Sequence, residues 1–376
     1  MANLGLLFTR NVSLKLWVET GLFDREKAIY EKELEKNIYQ KIYWFTYGSE
    51  DEAVYNKLVA EERIDSRIEV VPMPKIFKGR IGYDLYSLLM PIIKKKYMKE
   101  IGIIKSNQMD GAWTGLIIRK LYHIPFYFRT GYTNTMFQEK MKGKRDFNFY
   151  KFLFLEKIIY KYCDYASVTS IHDKKYVCST YNIDKEKVNI LVNYVDTDVF
   201  CNLKYNRKNR LVFVGRLSEQ KNLFNIIQAV KCNNIGLDIY GKGPLRKELH
   251  DYVSKLDADV CFKGVISNDK MPAMLNSYKY YILASEYEGM PKTLIEAMAC
   301  GCICIGTNVE GINEVIIDQY NGYLAEGTDS QSIAETIKRA VNNVNNENYR
   351  SNALNMISQQ YSLETIIRKE IQLIGM

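Results

Sequence analysis

Short apolar runs alternate with longer stretches of helical period along almost the whole chain. In the first half the runs fall near Leu4–Phe8, Lys41–Phe45, Ile68–Val71, Ile103–Lys105, Phe126–Phe128, Ala166–Thr169 and Val188–Leu191. In the second half they fall at Leu211–Val214, Leu237–Tyr240, Val260–Lys263, Tyr280–Leu283 and Cys302–Ile305. Runs this short suit strands buried on both faces, and their alternation with helical segments predicts α/β architecture with parallel sheets wrapped by helices. Asp24 is placed to cap a helix over REKAIYEKELEKN, and Ser362 to cap one over LETIIRKEIQLI, with Glu364 in its first turn. The polar stretch Cys201–Asn209 has no apolar period and marks the expected domain boundary. Two doubly wound domains are expected to face each other across a cleft. In such sheets ligands gather at the carboxyl ends of the strands, so the loops there are the place to look for chemistry.

Three of those loops stand out in the second half. After the run YYILAS comes Glu288-Gly289-Met290-Pro291-Lys292-Thr293, leading to Glu296. Pro291 suits a first helical position and Gly301 the residue past a helix end, so a helix is expected from about Pro291 to Cys300. The free amides of Lys292 and Thr293, with the helix dipole, suit a diphosphate. Glu296, more than one turn inside, suits a ribose diol, and Glu288, in the loop, suits sugar hydroxyls. On spacing alone, two surface glutamates without a role explain the pattern equally. After LVFV comes Gly215-Arg216, followed by Lys221. Two cations at a strand-to-helix turn can neutralise a leaving diphosphate, or merely be solvated. After LDIY comes Gly241-Lys-Gly243, which permits close backbone approach to a ligand, though taken alone a plain tight turn explains it better. The third glycine of a dinucleotide fingerprint is missing.

Composition narrows the classes. With 376 residues, 47% apolar and 26% charged, the chain is that of a globular protein long enough for two domains. It contains no apolar run long enough to span a bilayer. The opening MANLGLLFTRNV lacks the pattern of a secretory signal and reads as a strand, so a cytoplasmic location is expected. Eight Cys make no Cys-x-x-Cys pair, and Cys300, Cys302 and Cys304 would alternate faces on a strand, so buried reduced thiols are expected rather than a metal site. The net charge of +8 is compatible with nucleic acid, anionic membrane or phosphate ligands, but no nucleic-acid motif accompanies it. The excess is local: Lys75, Lys78, Arg80, Lys94, Lys95, Lys96, Lys99 and Lys105 face only Asp84 and Glu100 across residues 71–105.

As a set, VGRLSEQKN, YGKGP, CFKGVIS, EGMPKTLIE followed by AMACG, and TNVEGINEVI with NGYL resemble the retaining glycosyltransferases of family 4. That family has the GT-B fold, two facing Rossmann-like domains. The resemblance runs from about residue 163 to the end, with DYASVTS and NILVNYVDTDVF matching the approach to the second domain. The first half matches chiefly by strand order. The resemblance implies an acceptor-binding domain over residues 1–200 and a donor-binding domain over 201–361, with the helix of about 362–376 packing back on the first. It implies that Arg216 and Lys221 stabilise the departing nucleoside diphosphate. It places Glu288 near the donor sugar, Glu296 on the ribose and Val265 at the nucleobase. Gly215, Gly241, Gly243, Gly289, Met290, Lys292 and Thr293 then complete the donor site. It further implies a UDP- or GDP-type sugar donor, no separate cofactor and no metal, so Asp257-Ala-Asp259 is not taken as a metal motif.

The expected reaction is transfer with retention to a glycan or lipid-linked glycan, in capsule, O-antigen or exopolysaccharide synthesis. Departures exist. The Gly-rich turn usual after the first strand is replaced by TRNVSLKLWVETGLFDRE, where Gly21 alone is glycine. The usual second glycine of the carboxylate motif is Pro291, which removes an amide donor. The usual His of the first domain is replaced by Arg129, Thr130 and Gly131. Gly21, Arg129 and Thr130 are therefore candidates for the sugar and acceptor side. Residues 136–161 and 94–99 mix basic and aromatic side chains and suit either an anionic membrane surface or ordinary packing with a solvated basic face. Alternatives are an epimerase or inverting transferase of the same fold, and a catalytically silent binding or scaffold subunit.

Overall fold

The computed structural model describes residues 2–142 and 146–375. Gly143, Lys144 and Arg145, part of the basic stretch read at 136–161, lie outside them. The chain forms two compact units, Met1–Leu191 with Ile367–Met376, and Val192–Ile366.

The first unit is built on a parallel sheet of β1 (Ala2–Leu7), β2 (Tyr39–Phe45), β3 (Ile68–Val71), β4 (Ile101–Ser106), β5 (Phe126–Arg129), β6 (Tyr165–Val168) and β7 (Val188–Ile190), in the order β3-β2-β1-β4-β5-β6-β7. The second carries β8 (Lys208–Val214), β9 (Leu237–Tyr240), β10 (Val260–Gly264), β11 (Tyr278–Leu283), β12 (Ile303–Thr307) and β13 (Tyr323–Ala325), in the order β10-β9-β8-β11-β12-β13. In each unit the chain starts mid-sheet, winds to one edge, then crosses over and fills the other. The winding direction reverses between β1 and β4 and between β8 and β11, the two places where such a fold opens a crevice. Burial explains the composition of the strands. All five residues of β12 are buried, as are Tyr280 to Leu283 of β11, because helices cover both faces.

Two local expectations need correction, and one strand escaped the sequence. The helix Phe23–Glu35 begins after Leu22, and Asp24 lies in its first turn without capping it. Pro291 precedes the helix Lys292–Ala299 in extended conformation, so it is the residue before the first turn and not its first member. The edge strand β13 was not foreseen; it is only YLA, too short to show a period, and pairs with β12 through Ile305–Tyr323 and Thr307–Ala325. Ser362 does cap the last helix, Leu363–Ile374, accepting from the Thr365 amide at 3.3 Å, with Glu364 in the first turn.

The end of that helix is fastened to the first sheet by charge. Glu370 and Lys105 of β4 form a fully buried ion pair, and Lys105 Nζ sits 5.5 and 5.6 Å from the Tyr30 and Tyr127 rings. Glu33 lies beside them, also buried. Burial pushes the Glu33 carboxyl up to about 8; Lys105 opposes the rise and Glu370 adds to it. The folded protein therefore keeps a proton that the unfolded chain releases near 4.5. The stability tied to this proton is complete below that value and declines as pH rises toward about 8. Glu33→Gln is expected to flatten the decline. Urea unfolding of both proteins at intervals between the two values measures it, and parallel curves would contradict the assignment.

Candidate active site

The loop after β8 is held by its neighbours on both sides. Toward β9, the Gly215 amide donates to the Tyr240 carbonyl at 3.0 Å, and the Leu217 amide to the Lys242 carbonyl at 3.1 Å. This contact explains the Gly-x-Gly turn. A Cβ on Gly241 would stand 1.8 Å from the Gly215 carbonyl oxygen, and one on Gly243 would stand 2.2 Å from that of Leu217. Toward β11, Gln220 Nε2 donates to the Tyr287 carbonyl at 2.9 Å, and the Glu286 amide to the Gln220 carbonyl at 2.9 Å. Asn222, in left-handed conformation at φ 55°, gives its side-chain amide to the carbonyls of Ala284 at 3.1 Å and Thr328 at 2.6 Å. The short turn Glu219–Lys221 is thereby fixed over the switch point of the second sheet.

That fixation brings two of the singled-out charges together. Lys221 Nζ donates to Glu288 Oε1, and Ser285 Oγ donates to the same oxygen at 2.7 Å. Both side chains of the pair are largely buried, Glu288 to 8% exposure. Glu296, on the helix Lys292–Ala299, is 3% exposed, so it is not a solvated surface residue. A carboxylate at that depth requires polar partners. The Thr293 hydroxyl accepts from the buried Tyr281 phenol at 2.8 Å. Asn193 Nδ2 donates to the Met290 carbonyl at 2.8 Å, and Lys292 Nζ lies 5.4 Å from the Tyr194 ring. A Cβ on Gly311 would meet the Gly289 carbonyl oxygen at 1.8 Å, so the segment after β12 also packs on the Glu288–Met290 turn. Gly301, at φ 78°, ends the helix as expected.

Beside these loops lies a cavity of about 720 Å³. Arg216, Gly215, Gly241, Gly243 and Val265 line it together with Val214, Tyr240, Ile266 and Met271. Lys242 also lines it, a second exposed cation next to Arg216. Val265 directly follows the positive-φ Gly264 and is 67% exposed. Apolar walls with cations at the strand ends suit a flat heterocycle carrying phosphate. The residues missed from sequence are chiefly holders: Asn193, Gln220 and Asn222, polar residues whose partners are far along the chain, and Ser285, which holds Glu288 three positions on.

The first-unit candidates have local explanations. Gly21, at φ 72° with open space around its Cβ position, follows the helix Leu14–Glu19 and donates its amide back to the Val18 carbonyl at 3.2 Å. Thr130 is 1% exposed, and its hydroxyl lies 3.1 Å from that of Tyr160. Arg129 ends β5, half-buried, where its charge opposes the rise that burial imposes on the Tyr127 phenol. Of the DAD sequence, Asp257 ends the helix Arg246–Leu256 at φ 50°, and Asp259 pairs with Arg210. The thiols of Cys300, Cys302 and Cys304 are free and buried, whereas Cys232 and Cys261 are exposed, contrary to a uniform buried set.

Two doubly wound parallel sheets, with this loop cluster at the switch point of the second, define the GT-B class. Solved structures of that class superpose over the whole chain. One is Anabaena Alr3699/HepE in complex with UDP and glucose, TM-score 0.75 at 17% identity, covering all of both chains. Another is sucrose-phosphate synthase from Thermosynechococcus elongatus, TM-score 0.76 at 16% identity, covering 100% of this chain and 98% of that one. Residues 195–356, most of the second unit, match the family model described as glycosyl transferases group 1. Among curated relatives, the chain is 28% identical over 216 residues to a Campylobacter jejuni GalNAc-alpha-(1->4)-GalNAc-alpha-(1->3)-diNAcBac-PP-undecaprenol alpha-1,4-N-acetyl-D-galactosaminyltransferase, covering 55% of this chain and 58% of that protein. The match therefore spans less than two thirds of that relative. It is 26% identical over 297 residues to an Escherichia coli UDP-Gal:alpha-D-GlcNAc-diphosphoundecaprenol alpha-1,3-galactosyltransferase, covering 72% and 74%.

The loop contact yields a stability contrast. Gly243→Ala, crowding the Leu217 backbone, is expected to cost at least about 2 kcal/mol. Gly21→Ala, in open space, is expected to cost about 1 kcal/mol through its positive φ alone. Chemical denaturation of the two variants beside the wild type measures both, and equal losses would refute the packing explanation.

Proposed function

We propose that the protein is a retaining glycosyltransferase of family 4 that moves a sugar from a UDP- or GDP-type donor to a lipid-linked glycan during surface-polysaccharide synthesis. A lipid-linked acceptor would place the enzyme at the cytoplasmic face of a membrane. The observation that carries the reading is the Lys221–Glu288 pair, held across the switch point beside a cavity walled by Arg216 and Lys242. The activities of the Campylobacter and Escherichia relatives, both on undecaprenol-linked glycans, support the acceptor class. The UDP bound by the Anabaena neighbour supports a uracil nucleotide as the first donor to try.

In this reading the nucleobase enters the cavity near Val265, and Glu296 takes the ribose hydroxyls. The diphosphate lies between Arg216, Lys221 and the amides of Lys292 and Thr293. These donors oppose the charge that grows as the glycosidic bond to phosphate breaks. Lys221 is already neutralised by Glu288. An arriving diphosphate must draw the ammonium away, which leaves Glu288 to accept from sugar hydroxyls. Donor binding is thus coupled to arming the carboxylate. No side chain of the site is assigned as nucleophile. The acceptor oxygen attacks the anomeric carbon on the face the diphosphate leaves, and a diphosphate oxygen takes the acceptor proton, so configuration is retained.

Arg216→Ala and Glu296→Ala are each expected to lower kcat/KM by at least about a thousandfold while the protein stays folded. Wild-type turnover in both variants would sink the assignment. Glu288→Gln is expected to suppress transfer but to leave nucleoside diphosphate affinity equal or higher, since Lys221 is released; calorimetric titration reads this, and a large loss of affinity would contradict the exchange. Proton NMR of the anomeric centre in the product separates retention from inversion.

A further inference from the structure

The helix Gly79–Ile93 buries one side and leaves an apolar stripe on the other. Tyr86, Ser87, Met90 and Pro91 face inward. Pro91 has no amide to give, and the carbonyl it would have served, that of Ser87, accepts instead from the Thr114 hydroxyl at 2.6 Å. Trp113 Nε1 donates to Ser87 Oγ at 2.9 Å and the Tyr122 hydroxyl to the Pro91 carbonyl at 2.8 Å. These bonds fix the rotation of the helix against its neighbour Trp113–Tyr122. With that rotation set, Ile81, Leu85, Leu88 and Ile92, at spacings of four, three and four, share the solvent side. Ile81 is 82% exposed and Ile92 58%.

Positive charge brackets the stripe. Lys75, Lys78 and Arg80 are exposed at its start, and Lys95, Lys96 and Lys99 just past its end. Of the nearby acids, Asp84 is paired with Arg10, and Glu100 accepts from the Tyr43 hydroxyl. A second helix repeats the composition. On Phe147–Tyr162, Phe147, Tyr150 and Phe154 are exposed at spacings of three and four, with Lys151, Lys157 and Lys161 exposed among them. The helix Trp113–Tyr122 packs against both. All three helices lie in crossovers that step from β3 through β4 and β5 to β6, and right-handed crossovers put them on one face of the sheet. No helix among the described residues is long and apolar enough to cross a membrane. An apolar stripe between basic ends fits insertion to the depth of the acyl-chain boundary, with lysines at the phosphates.

We infer that this face of the first unit docks on an anionic lipid bilayer through the Ile81–Ile92 stripe and its flanking lysines. The inference deepens the membrane placement proposed above but requires no transferase activity, so the two fail separately. The test is flotation of the full chain with phosphatidylglycerol–phosphatidylethanolamine vesicles, against phosphatidylcholine vesicles, at low and high salt. The wild type is expected to float with the anionic vesicles only, and less at high salt. Leu85→Ser with Leu88→Ser should lower the partition at least about tenfold. Lys95→Glu, Lys96→Glu and Lys99→Glu together should lower it by on the order of a hundredfold. Circular dichroism and nucleotide titration control for folding, since every changed residue is exposed and outside the donor unit. Three results would each overturn the inference: no flotation of the wild type, wild-type flotation of the stripe variant, or a solution dimer broken by the stripe variant without lipid binding.

Discussion

An all-parallel sheet must be re-entered from the same edge at every strand, and this constraint governs the molecule. Each crossover leaves the carboxyl ends of all strands on one side, where no strand continues and loops must meet. In the second unit the meeting is crowded enough that Gly241 and Gly243 are steric necessities. The same crowding lets Gln220 and Asn222 lock the cation-bearing loop to the carboxylate-bearing one. The candidate site therefore rests on loops fastened to one another, with Lys221 and Glu288 as the side chains that project from them.

Much of this was legible in the chain, for identifiable reasons. Buried parallel strands are mostly apolar on both faces, so Ile68–Val71 and Leu237–Tyr240 show with the bounds observed although each holds one acid, Glu69 and Asp238. Gly301 announces a helix end because few other residues adopt its φ of 78°. What sequence withholds is pairing over distance. Lys221 and Glu288 are 67 positions apart, and nothing local tells that one neutralises the other. Thr130 reads as a polar loop residue and is buried because Tyr160, on a later helix, meets its hydroxyl. Pro91 is similar: alone it suggests a broken helix, but Thr114 repairs the defect from a neighbouring one. Helix Gly79–Ile93 carries large apolar side chains on both its buried and its exposed sides, so apolarity alone does not say which stripe faces out.

The two units divide the physical problem unevenly. The second gathers compact cations and carboxylates at one edge, where a small anionic ligand can satisfy them. The first spends its distinctive residues on surface: exposed aliphatic and aromatic side chains with lysines between them. The small charged substrate and the broad anionic boundary proposed above call for different geometry, a pocket in one case and a face in the other.

The ion pair between Lys105 and Glu370 joins residues 265 positions apart. Synthesis on the ribosome runs in one direction, so the first unit emerges long before the segment that completes it. Until that segment appears, the ammonium of Lys105 has no carboxylate from the last helix and must stay near water. The first unit is thus completed only by the last-made segment, and a fragment cut after Leu191 would lack Glu370, the acid paired with Lys105. The second unit, Val192–Ile366, is contiguous and bears no such debt to a later part of the chain.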